Sequence, residues 1–437
     1  MSFKELNLSS KLLKTLEQLN YTKPTEIQKK AIPLILQKRD ILATSQTGTG
    51  KTAAFVLPML ESIEEKKEKR VGDERYKIKA LILAPTRELV IQIQEKIETY
   101  GKNFTHKSVA LYGGVKLGSQ VSAIRAGANI AVGTTARVLD HIKNKTLNLS
   151  ELEMIVLDEA DKMLEMGFID DIRAIMAQLP TQRHSLMFSA TFAKPIKSLA
   201  KSFLRNPINI EIDKSNISTK QIRQVIHYVN EEQKISLLSY LIKNNNWNQL
   251  LVFTNTKLQA NKIVEHLKTK KITAKAIHGD KSQSMRIEAL KKFKEKTIRV
   301  LVATDVAGRG IDIVNLPRVI NFELPFNNED YIHRIGRTGR AGKEGEALSL
   351  ICEKELHQLK DIENLINKKL ENIEIDGFKF TPHITRSKRK TKKDKTIDLK
   401  LAKELAQKMM GNGKLSQKDI KKNKKMKAKK PTNKRHF

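Results

Sequence analysis

Asp158, Glu159 and Asp161 lie within four residues of one another, directly behind the apolar run MIVL at 154–157. Three like charges at one strand end repel each other unless a cation or a catalytic task requires them. About 110 residues upstream, the apolar run DILAT leads into SQTGTGKT and then into a helical pattern. Thr47, Gly48, Thr49, Gly50, Lys51 and Thr52 there have the types and spacing of a phosphate cradle. Glycines let backbone amides wrap a phosphate, the helix start adds its dipole, Lys51 can reach the β and γ phosphates, and the Thr52 hydroxyl can ligate Mg²⁺. Ser45 occupies the first glycine position of the GxxxxGK[ST] pattern. With a nucleotide on that loop, Asp158 is placed to hold Mg²⁺, mainly through water, and Glu159 to orient and polarise an attacking water. Without the loop, the carboxylates would read as an ordinary charged turn, and the loop alone as a glycine-rich turn with a solvated lysine.

The elements that must position these groups recur with a regular rhythm. DILAT, ALILAP, SVALYGG, NIAVGT, MIVLDEA and HSLMFSAT are strand-like runs alternating with helical patterns between Asp40 and about Pro207. Such alternation specifies crossover units and a parallel sheet. The polar stretch Arg205 to Gln224 interrupts it; QLLVFT, TAKAIHG, RVLVATD, RVINFELP and EALSLIC then resume it, and Glu353 to Leu370 forms a closing helical pattern. The expectation is an α/β protein of two tandem domains with parallel sheets: 1–207, a linker at 208–222, and 223–380. A basic, mostly disordered tail at 381–437 is expected to follow. Within that tail Ile397, Leu401, Leu405 and Met409 could form a short amphipathic helix, marginal by itself.

Composition narrows the partner. The 437 residues include 82 Lys and Arg against 48 Asp and Glu, a net charge of +34, which calls for a polyanion such as nucleic acid or an anionic membrane surface. From Arg386 onward, 21 Lys and Arg face 4 Asp and Glu, a net +17 in 52 residues. No apolar run is long enough to span a bilayer, and the amphipathic amino terminus lacks the pattern of a secretory signal. The single cysteine, Cys352, has no disulfide partner within the chain and sits in a strand-like run. An intracellular, cytoplasmic protein with no membrane partner is expected.

The motifs occur together in one order: YTKPTEIQ, SQTGTGKT, PTRELVIQ, Gly113–Gly114, DEAD, SAT at Ser189 to Thr191, LVFTNTK, HGDKSQSMR, ATDVAGRGID and YIHRIGRTGR. On these motifs the chain resembles a DEAD-box RNA helicase, most similar to the bacterial RhlE type, from Phe3 to about Phe380. The resemblance implies two RecA-like P-loop NTPase domains that use ATP and Mg²⁺. It implies that Gln28 reads the adenine edge while Phe3 stacks on the base; taken alone, both would pass as ordinary surface and staple residues. It makes Arg337 and Arg340 arginine fingers, a task suited to an always-charged, bidentate group. Asp312 would accept from the ribose hydroxyl, and Ser189, Thr191, Asp161 and His333 would couple nucleotide state to the contact between domains. Thr86, Arg87, Gly114, Thr134 and Arg137, with Arg286 and Thr304 from the second domain, would hold the RNA backbone largely independently of sequence.

The sequence departs from the family pattern at three places. TTAR (Thr134 to Arg137) replaces the usual TPGR, placing an Ala136 methyl where RNA approaches; Gly308 stands where alanine is usual, and Asn20 where glycine is usual. The expected activity is RNA-stimulated ATP hydrolysis coupled to local, non-processive separation of short RNA duplexes or remodelling of ribonucleoprotein. Ribosomal particles or RNA-decay proteins would be its partners, with ribosome assembly or RNA decay as the setting. An ATP-gated RNA clamp or assembly factor and a DNA-directed motor are the other classes this engine could serve. For the tail, the choices are a solubility aid, an RNA tether and a dock on a ribonucleoprotein.

Overall fold

The computed structural model describes residues 2–45, 49–63, 77–212, 222–308, 313, 316–339 and 344–381. Thr47, Gly48, Asp312, Arg340 and everything from 382 onward, including the candidate tail helix, lie outside the described residues. Two seven-stranded sheets carry the described chain. The first contains β1 (Ile41–Thr44), β2 (Ala80–Leu83), β3 (Ser108–Leu111), β4 (Ile130–Gly133), β5 (Met154–Leu157), β6 (His184–Ser189) and β7 (Ile208–Glu211). The second contains β8 (Ile222–Tyr228), β9 (Leu250–Thr254), β10 (Ala274–Ile277), β11 (Val300–Thr304), β12 (Arg318–Asn321), β13 (Gly345–Ile351) and β14 (Glu371–Asn372). Strand order is β3-β4-β2-β5-β6-β1-β7 in the first and β10-β11-β9-β12-β13-β8-β14 in the second. Counted from β8, the second order repeats the first, and every pairing is parallel.

The runs ILAT, ALIL, IAVG and MIVL are buried on both faces because helices cover the sheet above and below. Alternate residues enter separate cores. Ile41, Ala43, Ala80, Ile82, Met154 and Val156 pack on one side, whereas Leu42, Leu81, Leu83, Ile155 and Leu157 pack on the other. The second sheet divides likewise, Leu250 and Val252 against Leu251 and Phe253.

All eleven strand-like runs form strands, and the closing pattern folds as the Leu356–Ile366 helix. The boundary between sheets differs from expectation. Ile208–Glu211, placed in the linker by its polar surroundings, pairs with Ile41–Thr44 as the edge strand of the first sheet. A half-covered edge tolerates the alternation INIE, so the usual hydrophobic signature is missing there. The two-residue β14 on β8 lacks that signature for the same reason.

Parallel sheets place ligands at the carboxyl ends of their strands. In the first sheet β1 and β5 flank β6, so the phosphate-type loop after β1, the carboxylates after β5 and Ser189 at the end of β6 converge on one rim.

Candidate nucleotide and nucleic-acid sites

Gly50 ends the loop after β1 and caps the Lys51–Ser62 helix with φ 95°. That left-handed conformation costs glycine little, and a Cβ there would lie 2.5 Å from the Gln28 amide nitrogen. Gln28 is buried at the start of the Glu26–Leu36 helix. Its Nε2 donates to the Gly50 carbonyl at 3.1 Å while its Oε1 accepts from Thr25 N–H at 3.0 Å. The residue expected to read the base thus also braces the loop that would hold the phosphates. Lys51 is buried, and its Nζ donates to the Ser45 carbonyl at 2.9 Å. The Ser45 and Thr49 hydroxyls are 2.8 Å apart, so Ser45 supplies a side-chain link that a glycine could not. Thr52, the second helical residue, is partly exposed at the same rim. Phe3 packs edge-to-face on Tyr21 with ring centroids 6.3 Å apart, and 4% of it remains exposed.

Across the rim, Asp158 follows β5, and its Oδ1 accepts from Glu159 N–H at 3.0 Å. Burial pushes the Asp158 carboxyl up to about 7; Lys51 opposes this and Glu159 adds to it. Glu159 has φ 53°, a left-handed conformation that costs a side-chain-bearing residue roughly 1–2 kcal/mol. Such strain at a strand-to-helix turn aims the side chain. Burial raises the Glu159 pKa as well, opposed by the charges of Lys51 and of Arg337, the latter from the second half of the chain.

Asp161 ties this turn to the end of β6: its Oδ2 accepts from Ala190 N–H at 3.0 Å. Ser189 Oγ donates to the Thr191 carbonyl at 3.0 Å and accepts from Thr191 N–H at 3.2 Å, while Ser189 O accepts from Ser45 N–H at 3.1 Å. One chain of hydrogen bonds therefore joins the phosphate-type loop, SAT and the carboxylate turn. Opposite them, the Asn328–Ile335 helix carries His333, and Arg337 follows just past its end. Burial lowers the His333 pKa to about 3, with Lys162, Arg337 and Lys51 acting in the same direction and Asp330 against them. Its imidazole is neutral at physiological pH.

A cavity of about 360 Å³ opens between the halves, lined by Thr86, Arg87, Thr134, Arg137 and Arg286 together with Ala136, Met166 and Phe168. Gly114 has φ 85°, and a Cβ there would meet Arg87 Nη1 at 2.3 Å, so the guanidinium lies directly against the Gly113–Gly114 turn. Thr86 caps the Arg87–Tyr100 helix, its Oγ1 accepting from Leu89 N–H at 3.3 Å. Arg137 Nη1 donates to the Val115 carbonyl at 3.2 Å and to Gln120 Oε1 at 3.1 Å. Behind it, His141 Nε2 lies 3.0 Å from the same Gln120 oxygen and Nδ1 lies 2.8 Å from the Thr146 hydroxyl. Arg286 Nη2 pairs with Glu88 at 2.7 Å, and Gln283 Nε2 donates to the other Glu88 oxygen at 3.1 Å.

Comparison with known proteins decides the family. The description "DEAD/DEAH box helicase" matches residues 25–199, and "Helicase conserved C-terminal domain" matches residues 233–342. The chain is 40% identical over 373 residues to the DEAD-box ATP-dependent RNA helicase CshA of Bacillus subtilis, covering 85% of this chain and 74% of that one. The chain belongs to the DEAD-box family of ATP-dependent RNA helicases. It is 41% identical to the helicase RhpA of Helicobacter pylori, over 86% of this chain and 74% of that one. The helicase also resembles the structure of S. cerevisiae Dbp5 bound to RNA and ADP BeF3, with a TM-score of 0.77 and 33% identity over 86% of this chain and 96% of that one.

The helicase thus gathers Lys51, Thr52, Asp158, Glu159 and Arg337 at one rim and five of the seven expected RNA residues around one cavity. Gly114 abuts that cavity through Arg87. Thr304, at the end of β11, is buried and does not line it. Two cross-half ion pairs escaped the sequence reading: Glu88 with Arg286, and Lys162 with Asp330, each at 2.7 Å. Glu88 lies inside the quoted PTREL motif, so the motif was visible although the ion pair was not.

The three departures have local explanations. An alanine at 308 would meet the Phe253 ring at 2.5 Å. Asn20 has φ 58°, which asparagine tolerates better than most residues. Thr135, in place of proline, is buried with its hydroxyl 3.4 Å from Asp171, while Ala136 is exposed at the cavity wall.

Proposed function

We propose that this helicase hydrolyses ATP when RNA draws its two halves together, and that closing separates short duplexes locally. The observation that carries this reading is that the Ala160–Glu165 helix beside Glu159 is joined to the helix leading to Arg337 by the buried Lys162–Asp330 pair at 2.7 Å, with the Arg337 charge opposing the upward shift that burial imposes on the Glu159 carboxyl. Lys51 would exchange its Ser45 carbonyl for phosphate oxygens. Glu159 would orient the attacking water and accept its proton, and Arg337, with Arg340, would stabilise charge developing on the transferred group. Gln28 and Phe3 would select and hold the adenine, and Asp312 the ribose. Ser189, Thr191, Asp161 and His333 would transmit closure between the halves.

Thr52 and Asp158 are the residues that would hold Mg²⁺, which when bound would neutralise charge on the phosphates. The fit rests on their hard oxygen donors and on an Asp158 carboxyl pushed up by burial, with the neighbouring Glu159 and Asp161 charges adding to it. Among the described residues no group of three or more His, Cys, Asp or Glu side chains is placed to hold a metal by itself, so phosphate and water would complete the shell.

The RNA backbone would lie along Thr86, Arg87, Gly114, Thr134, Arg137 and Arg286, and reach Thr304. The finer kinship to the RhlE type, a cytoplasmic setting in ribosome assembly or RNA decay, and ribonucleoprotein partners belong to the same proposal; motif wording and the strongly basic balance support them.

Two measurements test the core of it. A short RNA duplex should separate with ATP but not with a non-hydrolysable analogue, and RNA should stimulate turnover more than an equal amount of DNA. Separation supported equally by the analogue would favour the clamp, and equal stimulation by DNA the DNA-directed motor. Glu159→Gln should retain nucleotide and RNA binding and lose hydrolysis; persistent turnover would place water activation elsewhere.

A further inference from the structure

Beside the rim, Lys162 and Asp330 form an ion pair of 2.7 Å whose side chains are 4% and 5% exposed. Lys162 belongs to the Ala160–Glu165 helix, whose first turn closes with Lys162 N–H donating to the Glu159 carbonyl at 3.0 Å. Asp330 sits one turn before His333 on the helix that leads to Arg337. The pair therefore joins the element that aims Glu159 to the element that delivers Arg337.

Lys162 is also held from its own helix. Its Nζ donates to both oxygens of Glu165, at 2.8 and 3.1 Å, so one carboxylate orients the ammonium before the halves meet. The receiving side is equally fixed. Arg334, on the same helix as Asp330, donates to both oxygens of Asp305 at 2.6 and 2.7 Å, to Asn255 at 3.0 Å and to the Glu323 carbonyl at 2.6 Å.

We propose that Lys162 and Asp330 are a positioning pair for hydrolysis, a latch that sets how Arg337 approaches Glu159 when the halves close. The inference deepens the proposed function and rests on that reading. Its physical basis is asymmetry: a charge buried by closure and left without its partner is strongly disfavoured, so the matched pair accepts only the correct approach. In the separated state Lys162 keeps Glu165 and both charged groups can reach water, so nucleotide binding to the first half alone should not depend on the pair.

The test uses the full-length protein with Lys162→Met, Asp330→Asn, the double variant and Lys162→Arg. Closure is read by energy transfer between dyes on one introduced surface cysteine per half, which is practicable because the native Cys352 is buried. Each neutralising change should lower RNA-stimulated kcat about tenfold and weaken closure, as expected for loss of one partner of a buried pair. ATP-analogue affinity without RNA should stay unchanged. The double variant should be no worse than the poorer single one within about twofold, and Lys162→Arg should recover most of kcat. Unaltered closure and turnover in either single variant, losses that multiply in the double variant, or failure of arginine to rescue would overturn the latch. An unmutated protein that closes without RNA-stimulated hydrolysis would sink the proposed function instead, with the latch still judged by closure in the variants. A protein that never closes would sink the latch.

Discussion

Gly50 and His333 show how single residues at the rim are constrained. With φ 95° and a Cβ position 2.5 Å from Gln28, Gly50→Ala should destabilise the loop by about 1–3 kcal/mol. Melting temperature and ATP affinity should fall together, because the same change displaces the Gln28 brace. His333→Asn tests the buried imidazole. The folded pKa of about 3 lies below the model-peptide range, so the unfolded chain binds the extra proton first. Stability from this group is fully present above pH 6.5 and drains away as pH falls toward 3. Replacement by asparagine should make denaturant-measured stability less steep over that window, by about 1.4 kcal/mol per pH unit. An unchanged slope would mean that the imidazole is protonated in the fold.

At the scale of elements, the turn at Gly113–Gly114 and the start of the Arg87–Tyr100 helix act as one unit. Gly114→Ala combines a left-handed backbone with a 2.3 Å clash against Arg87. It should weaken RNA binding by about tenfold, equivalent to about 1.4 kcal/mol, while ATP affinity measured without RNA stays near its original level. An equal loss in both would show that the turn supports the whole sheet rather than the cavity. The elements themselves were largely legible in the sequence, because parallel strands buried on both faces read as unbroken apolar runs. Ile208–Glu211, Ile222–Tyr228 and Glu371–Asn372 were not: the two edge strands lose that signature, and in Ile222–Tyr228 the polar Arg223, Gln224 and His227 interrupt it. At the sites, glycine spacing and the carboxylate cluster pointed to phosphate chemistry. Lys162 and Asp330, 168 residues apart, disclosed nothing until the fold joined them.

For the whole molecule, charge distribution suggests a division of labour. The last 52 residues hold half of the net +34, whereas the residues proposed to hold RNA come from the two halves. Deleting everything after Thr385 should weaken RNA binding and flatten its salt dependence, because fewer counterions are released, while ATP turnover at saturating RNA stays nearly intact. Equal slopes of log affinity against log salt, with and without the segment, would exclude tethering.

The anchoring of Arg334 has a mechanical corollary. A helix whose penultimate residue has its guanidinium clamped to Asp305, Asn255 and the Glu323 backbone has little give, so the second sheet and its arginine-bearing end would travel as a stiff piece. Any compliance needed for a good fit must then come from the other face, where the Glu159 turn is already held off its preferred backbone geometry. Docking would load the spring at Glu159, the residue proposed to orient the attacking water.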